Sequence, residues 1–157
     1  MILDVTCCGK EMWKDNNPKD VIFMDRRAGL IEIKGKDWTR ATTINPDVKA
    51  DNRFLPFKDK SFDMVVFDPP HEIGKPTGIF QQLYSTLNPL TWRSDLYKAL
   101  KESLRVLAPG SFLIFKWAEC KKAVDSVVQL IKAAGFELLF SCNTHYRTYW
   151  LTARSPL

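Results

Sequence analysis

Short apolar runs alternate with helix-length amphipathic stretches along the chain. Ile2-Leu3-Asp4-Val5-Thr6 reads as an opening strand, followed by a Cys7-Cys8-Gly9 turn and a brief helical stretch around Glu11–Asn16. Val21-Ile22-Phe23-Met24-Asp25 is an apolar run closed by one carboxylate. Leu30-Ile31-Glu32-Ile33 alternates and Lys34-Gly35-Lys36-Asp37 supplies turn chemistry, so residues 30–45 predict a hairpin. Val48–Asp51 is a short strand, and Phe62–Phe67 a central one, apolar on both faces near its end. Leu96, Leu100, Leu104 and Leu107 recur at helical spacing, with Ser94 as the predicted cap and Pro109-Gly110 as the stop. Ser111–Trp117 then reads as a strand. A second amphipathic helix runs through Val124, Val127, Val128, Ile131 and Ala134 to Gly135. Phe136–Cys142 and Tyr146–Thr152 close the chain as two strands paired antiparallel. This alternation predicts an α/β fold in one domain, residues 1–157: a mostly parallel sheet with an antiparallel C-terminal strand and helices on both faces.

One connection breaks proportion. Some 26 residues, 68–93, separate the central strand from the next helix, where βα loops usually take about 2–6. The segment carries Phe80, Gln81, Gln82, Tyr84, Asn88 and Trp92, and ligands in open α/β sheets sit outside the carboxyl ends of the strands. It is either a substrate lid or an irregular stretch whose aromatics cover the sheet edge.

At 157 residues the chain can bury a sizeable core. No apolar run approaches the roughly 20 residues of a membrane span, and Asp4 stands where a signal peptide needs positive charge, so a cytoplasmic protein without a membrane is expected. The length leaves no room for a separate recognition domain of usual size. Twenty-three basic residues against 18 acidic ones give +5, compatible with a polyanionic partner but scattered along the chain. Cys7, Cys8, Cys120 and Cys142 lack C-x-x-C spacing, and His71 and His145 add no cluster, so reduced thiols and no metal are expected.

The candidate chemistry is carried by acids at strand ends. Asp4, Asp25, Asp51 and Asp68 fall at or just past the ends of four consecutive strands. A strand-end Asp is commonly a turn former, but four in series line a ligand site more readily. Asp25 follows Asp4 by 21 positions, close to the ~20-residue offset at which an acid grips ribose hydroxyls. Thr6-Cys7-Cys8-Gly9-Lys10 has one glycine, a poor pyrophosphate loop, so a nucleoside without phosphates fits better. Asp68-Pro69-Pro70 is the sharpest signal. Two prolines after a buried strand remove two amide donors and leave the Pro69 carbonyl and the Asp68 side chain as acceptors able to hold a planar –NH2 group.

Asp68-Pro69-Pro70-His71 resembles the D/N/S-P-P-aromatic motif of class I S-adenosylmethionine-dependent amino-methyltransferases. The resemblance runs along most of the chain. Ile2–Gly9 looks like the family's first motif, Val21–Asp25 like its second strand, and Ala50–Phe57 like its third motif; 100–110 looks like the helix and turn before strand five. Together with Phe115-Lys116-Trp117 and Thr148-Tyr149-Trp150, the pattern is similar to short methyltransferases of phages and prophages. His71 departs from the pattern, standing where an aromatic usually stacks on the target base, and the first motif lacks a G-x-G run.

The resemblance implies a Rossmann-like fold with S-adenosylmethionine as cofactor. It implies methyl transfer to an exocyclic amine of a nucleic-acid base in DNA or RNA, adenine favoured. Carried over by position, Asp4, Thr6, Cys7, Gly9, Asp25, Asp51, Asn52 and Asp68 would hold the cofactor. Asp68, Pro69, Pro70 and His71 would be catalytic, and Phe80, Tyr84, Trp92, Lys116 and Trp117 would meet the substrate. Two alternatives remain open: a cofactor-binding subunit or regulator needing a recognition partner, and methylation of a small molecule or protein amide. A homodimer could supply the missing recognition surface.

Overall fold

The computed structural model describes residues 1–15 and 18–157. Its elements in chain order are β1 (Ile2–Asp4), β2 (Val21–Asp25), β3 (Gly29–Lys34), β4 (Thr39–Ile44), β5 (Val48–Lys49), β6 (Phe62–Phe67), α1 (Ile79–Tyr84), α2 (Trp92–Val106), β7 (Leu107–Ala118), α3 (Val124–Ala134), β8 (Glu137–His145) and β9 (Thr148–Arg154). Seven strands form one sheet in the order β5-β2-β1-β6-β7-β9-β8, and β3 and β4 form a separate two-stranded ribbon. The pairings β5-β2, β2-β1, β1-β6 and β6-β7 are parallel; β9 runs antiparallel between β7 and β8. The mostly parallel sheet with its antiparallel C-terminal strand is as the sequence predicts.

Alternation along the strands places the core. Leu3, Val65, Leu113 and Ala153 lie in register, as do Phe67, Phe115 and Leu151, so these residues share one face. Leu96, Ala99 and Leu100 of α2 and Val127, Ile131 and Ala134 of α3 complete that buried cluster. α2 and α3 also meet each other, the Lys101 ammonium donating to the Ala134 carbonyl at 3.5 Å. Where the pattern predicts helices on both faces, these two long helices share one. The opposite face has Trp13 packed edge-on over Phe23, half-buried Ile2, Met64 and Ile114, and exposed Phe112. No helix among the described residues is long and apolar enough to cross a membrane.

Several boundaries differ from the sequence reading. Glu11–Asp15 forms turns and bends rather than a helix, and Asn16 lies outside the described residues. α2 starts at Trp92 after Thr91, not at a Ser94 cap; the Ser94 hydroxyl donates to the Thr91 carbonyl and the Thr91 hydroxyl to Asp95. Pro109-Gly110 does not end α2. The helix stops at Val106, and the dipeptide sits in a register shift inside β7, with Gly110 at a φ of 75°. The left-handed glycine that ends α3, Gly135 at φ 108°, falls where the sequence puts it.

Candidate active site

A cleft of about 1110 Å³ opens at the carboxyl ends of the parallel strands, at the point where strand order reverses between β1 and β6. Its floor is Val5–Cys8 after β1, and its walls are Asp25–Arg27, Asp51–Arg53, Asp68–Glu72 and Lys116. The long connection after β6 covers one side. There it forms the short helix α1, followed by a one-residue bridge between Ile73 and Leu87.

Strand ends are locked together at this floor. The Thr6 hydroxyl accepts the Asp68 N–H at 2.9 Å, fixing the turn after β1 to the start of the double-proline corner. Asp4 does not reach the cleft. It is fully buried, accepting the Trp13 indole N–H at 2.8 Å and the Thr6 N–H at 3.0 Å. Burial pushes its carboxyl up to about 6, with these two bonds opposing and the neighbouring Asp68 and Asp25 adding to the rise.

Asp25 and Asp51 line the cleft, and each is held by an arginine two residues later. Asp25 Oδ2 accepts the Cys8 N–H at 3.1 Å, while Oδ1 accepts the Arg27 N–H at 2.9 Å and its Nε at 3.3 Å. A carboxylate has about four acceptor sites, so roughly one remains for a ligand hydroxyl. Asp51 takes Arg53 through both oxygens, at 2.9 and 2.6 Å, and Arg53 continues to Asp95 at 2.8 Å. The Arg53 guanidinium holds the Asp51 carboxyl below the usual carboxylate range. Burial pushes the Cys7 thiol up to about 12 and also raises that of Cys8, so both enter the cleft wall as neutral thiols.

Asp68 stands at the other end of the row. Its Oδ2 accepts from Lys116 Nζ at 2.7 Å, and Oδ1 lies 3.1 Å from His71 Nε2. Burial alone would raise this carboxyl; the His71 and Lys116 contacts outweigh it and hold the group below its ordinary value. His71 meets the Trp117 ring edge-on with centroids 5.4 Å apart, which fixes the imidazole against the sheet. Asp68 is thus an ionised acceptor held by Lys116 through Oδ2, while its Oδ1, beside the imidazole, has no hydrogen-bond partner among the described residues, and Pro69 and Pro70 donate no amide hydrogen.

Of the residues singled out in the sequence, Thr6, Cys7, Asp25, Asp51, Asn52, Asp68, Pro69, Pro70, His71, Phe80, Tyr84 and Lys116 come together around this cleft. Asp4, Gly9, Trp92 and Trp117 do not line it. Trp92 and Trp117 are buried in the core cluster, Trp117 donating its indole N–H to the Lys122 carbonyl. Arg27 and Arg53 are lining residues that the sequence reading leaves out, although the repeated Asp-x-Arg spacing was there to be read. Glu11 and Cys120 also line the cleft without any pattern that marks them, and Asn88 does so from the long connection.

No family model and no curated protein matches the chain. Solved structures do. The fold is shared with an S-adenosylmethionine-dependent methyltransferase from Methanosarcina mazei (15% identity over 99% of this chain and 92% of that one, TM-score 0.62). It is shared with the 1,6-didemethyltoxoflavin-N1-methyltransferase of Burkholderia thailandensis, crystallised with 1,6-didemethyltoxoflavin and S-adenosylhomocysteine (12%, 99% and 71%, TM-score 0.64). A proposed DNA modification methylase from Thermus thermophilus is similar over 69% of this chain at 19% identity, with a TM-score of 0.50. This chain spans about half the length of that Thermus protein. At such identities the likeness establishes the fold: a Rossmann-like sheet of the kind that S-adenosylmethionine-dependent methyltransferases use.

Proposed function

We propose that the chain is an S-adenosylmethionine-dependent N-methyltransferase acting on an exocyclic amine of a nucleic-acid base. The observation that carries this reading is Asp68: an ionised, oriented carboxylate on a donor-poor double-proline corner, in the same cleft as the row of strand-end acids.

The cleft suits the cofactor in size and chemistry. About 1110 Å³ is slightly above the usual range for small-molecule sites and can hold a nucleoside and an amine side by side. The open acceptor site on Asp25 would take a ribose hydroxyl, Asp51 and Asn52 would face the adenine, and the Thr6–Cys8 turn would lie against the remainder. The sulfonium supplies an already activated methyl group, so the protein's contribution is positioning. Asp68 and the Pro69 carbonyl accept the two hydrogens of the target amine and turn its lone pair inward. Asp68 offsets the positive charge that develops on nitrogen, and Lys116 holds the carboxylate through Oδ2.

Asp68→Ala removes the acceptor that Asp, Asn or Ser would each supply at this corner. It is expected to lower methyl transfer at least about 100-fold with the cofactor dissociation constant little changed. Equal losses in both would place Asp68 in cofactor binding or folding instead. A small heteroaromatic amine is the second reading, supported by the likeness to the Burkholderia enzyme over nearly the whole chain. Turnover that is indifferent to salt separates it from a polyanionic substrate.

A further inference from the structure

The β3–β4 ribbon stands outside the main sheet, inserted between β2 and β5, two parallel neighbours that a helix would ordinarily connect. It is tied to the cover of the cleft. Gln82 of α1 accepts the Lys34 N–H at 2.8 Å and donates to the Lys34 carbonyl at 3.1 Å, so its side chain extends the free edge of β3. Arg27 and Arg26 reach the end of the same segment, at the Leu83 carbonyl and the Ser85 hydroxyl. Ribbon and α1 therefore form one wall beside the cleft mouth.

That wall exposes aromatic rings and cations together. On α1, Phe80 and Tyr84 sit four residues apart, ring planes within 4° of parallel, and both line the cleft; Phe80 is 73% exposed. On the ribbon, Lys34 pairs with Thr39, so the turn bearing exposed Trp38 begins at the residue where Gln82 docks. Arg40 lies over the Trp38 ring, 5.5 Å from its centroid. Residues 26–44 hold five basic side chains against two acidic ones, +3 of the chain's +5. Arg27 is paired with Asp25 just before the segment and Lys34 with Glu32, which leaves Arg26, Lys36 and Arg40 as its exposed cations outside those pairs.

The geometry points to the β3–β4 ribbon and α1 as the surface that grips the target as a single strand of nucleic acid. This inference rests on the reading of the cleft as a base-methylating site. Aromatic faces stack on unpaired bases whatever their sequence, and the cations track the phosphates beside them. Trp38 with Arg40 and the Phe80–Tyr84 pair are two such platforms, the second at the cleft mouth, where a strand would deliver its base towards Asp68. A duplex offers no free base faces to these rings.

Fluorescence anisotropy with labelled 12-mers of single-stranded DNA, single-stranded RNA and duplex DNA tests the surface. Phe80→Ala, Trp38→Ala and Arg40→Gln would be compared with the wild type, with circular dichroism and the thermal midpoint as checks on folding. Trp38 also packs against Gly35, so Trp38→Phe, which keeps a stacking face, serves as its partner variant. The expected result is single-strand binding weakened about tenfold or more by Phe80→Ala and Trp38→Ala and restored in Trp38→Phe. Arg40→Gln should reduce the slope of log K against log salt by about one. Preference for the duplex, no single-strand binding by the wild type, or variants that bind as the wild type would each overturn the proposal. Labelled methyl transfer to free nucleosides by the wild type decides the cleft separately. Nucleoside turnover with ineffective ribbon variants would remove the surface and leave the enzyme. Strand binding without transfer to any base would do the reverse.

Discussion

Asp4 and Asp68 show how two carboxylates at the ends of adjacent strands acquire opposite behaviour. Asp4 is fully buried and Asp68 half-buried at the cleft; Asp68 is held low by His71 and Lys116, whereas Asp4 has only uncharged donors and rises to about 6. An unfolded Asp titrates at 3.8, so between that value and about 6 the folded state binds more protons than the unfolded one. Stability contributed by Asp4 is therefore full below about 4 and is lost as pH rises to about 6, a change on the order of 3 kcal/mol. Because the Trp13 indole donates directly to Asp4, tryptophan fluorescence should titrate with a midpoint near 6. Asp4→Asn and Trp13→Phe should each abolish that transition; its persistence in either would refute the assignment. At this scale the sequence shows where acids fall but not what meets them. Asp25, Asp51 and Asp68 are legible as cleft residues, whereas Asp4 is claimed by a tryptophan from an irregular turn. Trp92 and Trp117 look like substrate contacts until alternation and helix register carry them into the core.

The elements were legible wherever a hydrophobic period ran for several residues: β2, β6, α3 and the β3–β4 hairpin follow the pattern closely. What the pattern misplaces is punctuation. Pro109-Gly110 carries the usual signature of a helix stop, but pairing with β6 and β9 draws 107–118 into one long strand, and the dipeptide becomes an irregularity within it. The approach to β6 is held by side chains that no period reveals. Arg105 of α2 donates to the Leu55 and Phe57 carbonyls at 3.0 and 2.9 Å and pairs with Glu102 and Asp59. Glu102 in turn accepts the Leu55 N–H at 2.8 Å. Arg105→Met keeps the aliphatic stem and leaves two carbonyls and two carboxylates without their donor. It should cost about 2 kcal/mol, read as a lower urea midpoint with an unchanged slope. A shift below about 0.5 kcal/mol would mean that water replaces the guanidinium without loss.

At the scale of the whole molecule, the parallel sheet, the reversal of strand order and the cleft at the carboxyl ends form one consequence of alternating strands and helices, and this much was readable from the chain. The ribbon in place of a helix between β2 and β5, and the two long helices sharing a face, give this chain its particular form of that fold. Both depend on tertiary contacts between segments far apart in sequence. In the proposed function, the acids on this rim form a nucleoside-shaped cleft for an activated methyl donor. Isothermal titration calorimetry of the purified chain with S-adenosylmethionine, alongside Asp25→Ala, tests it most directly. One site per chain is expected in the wild type, with a dissociation constant raised about tenfold or more in the variant. No heat of binding in the wild type, or an affinity untouched by loss of Asp25, would contradict it.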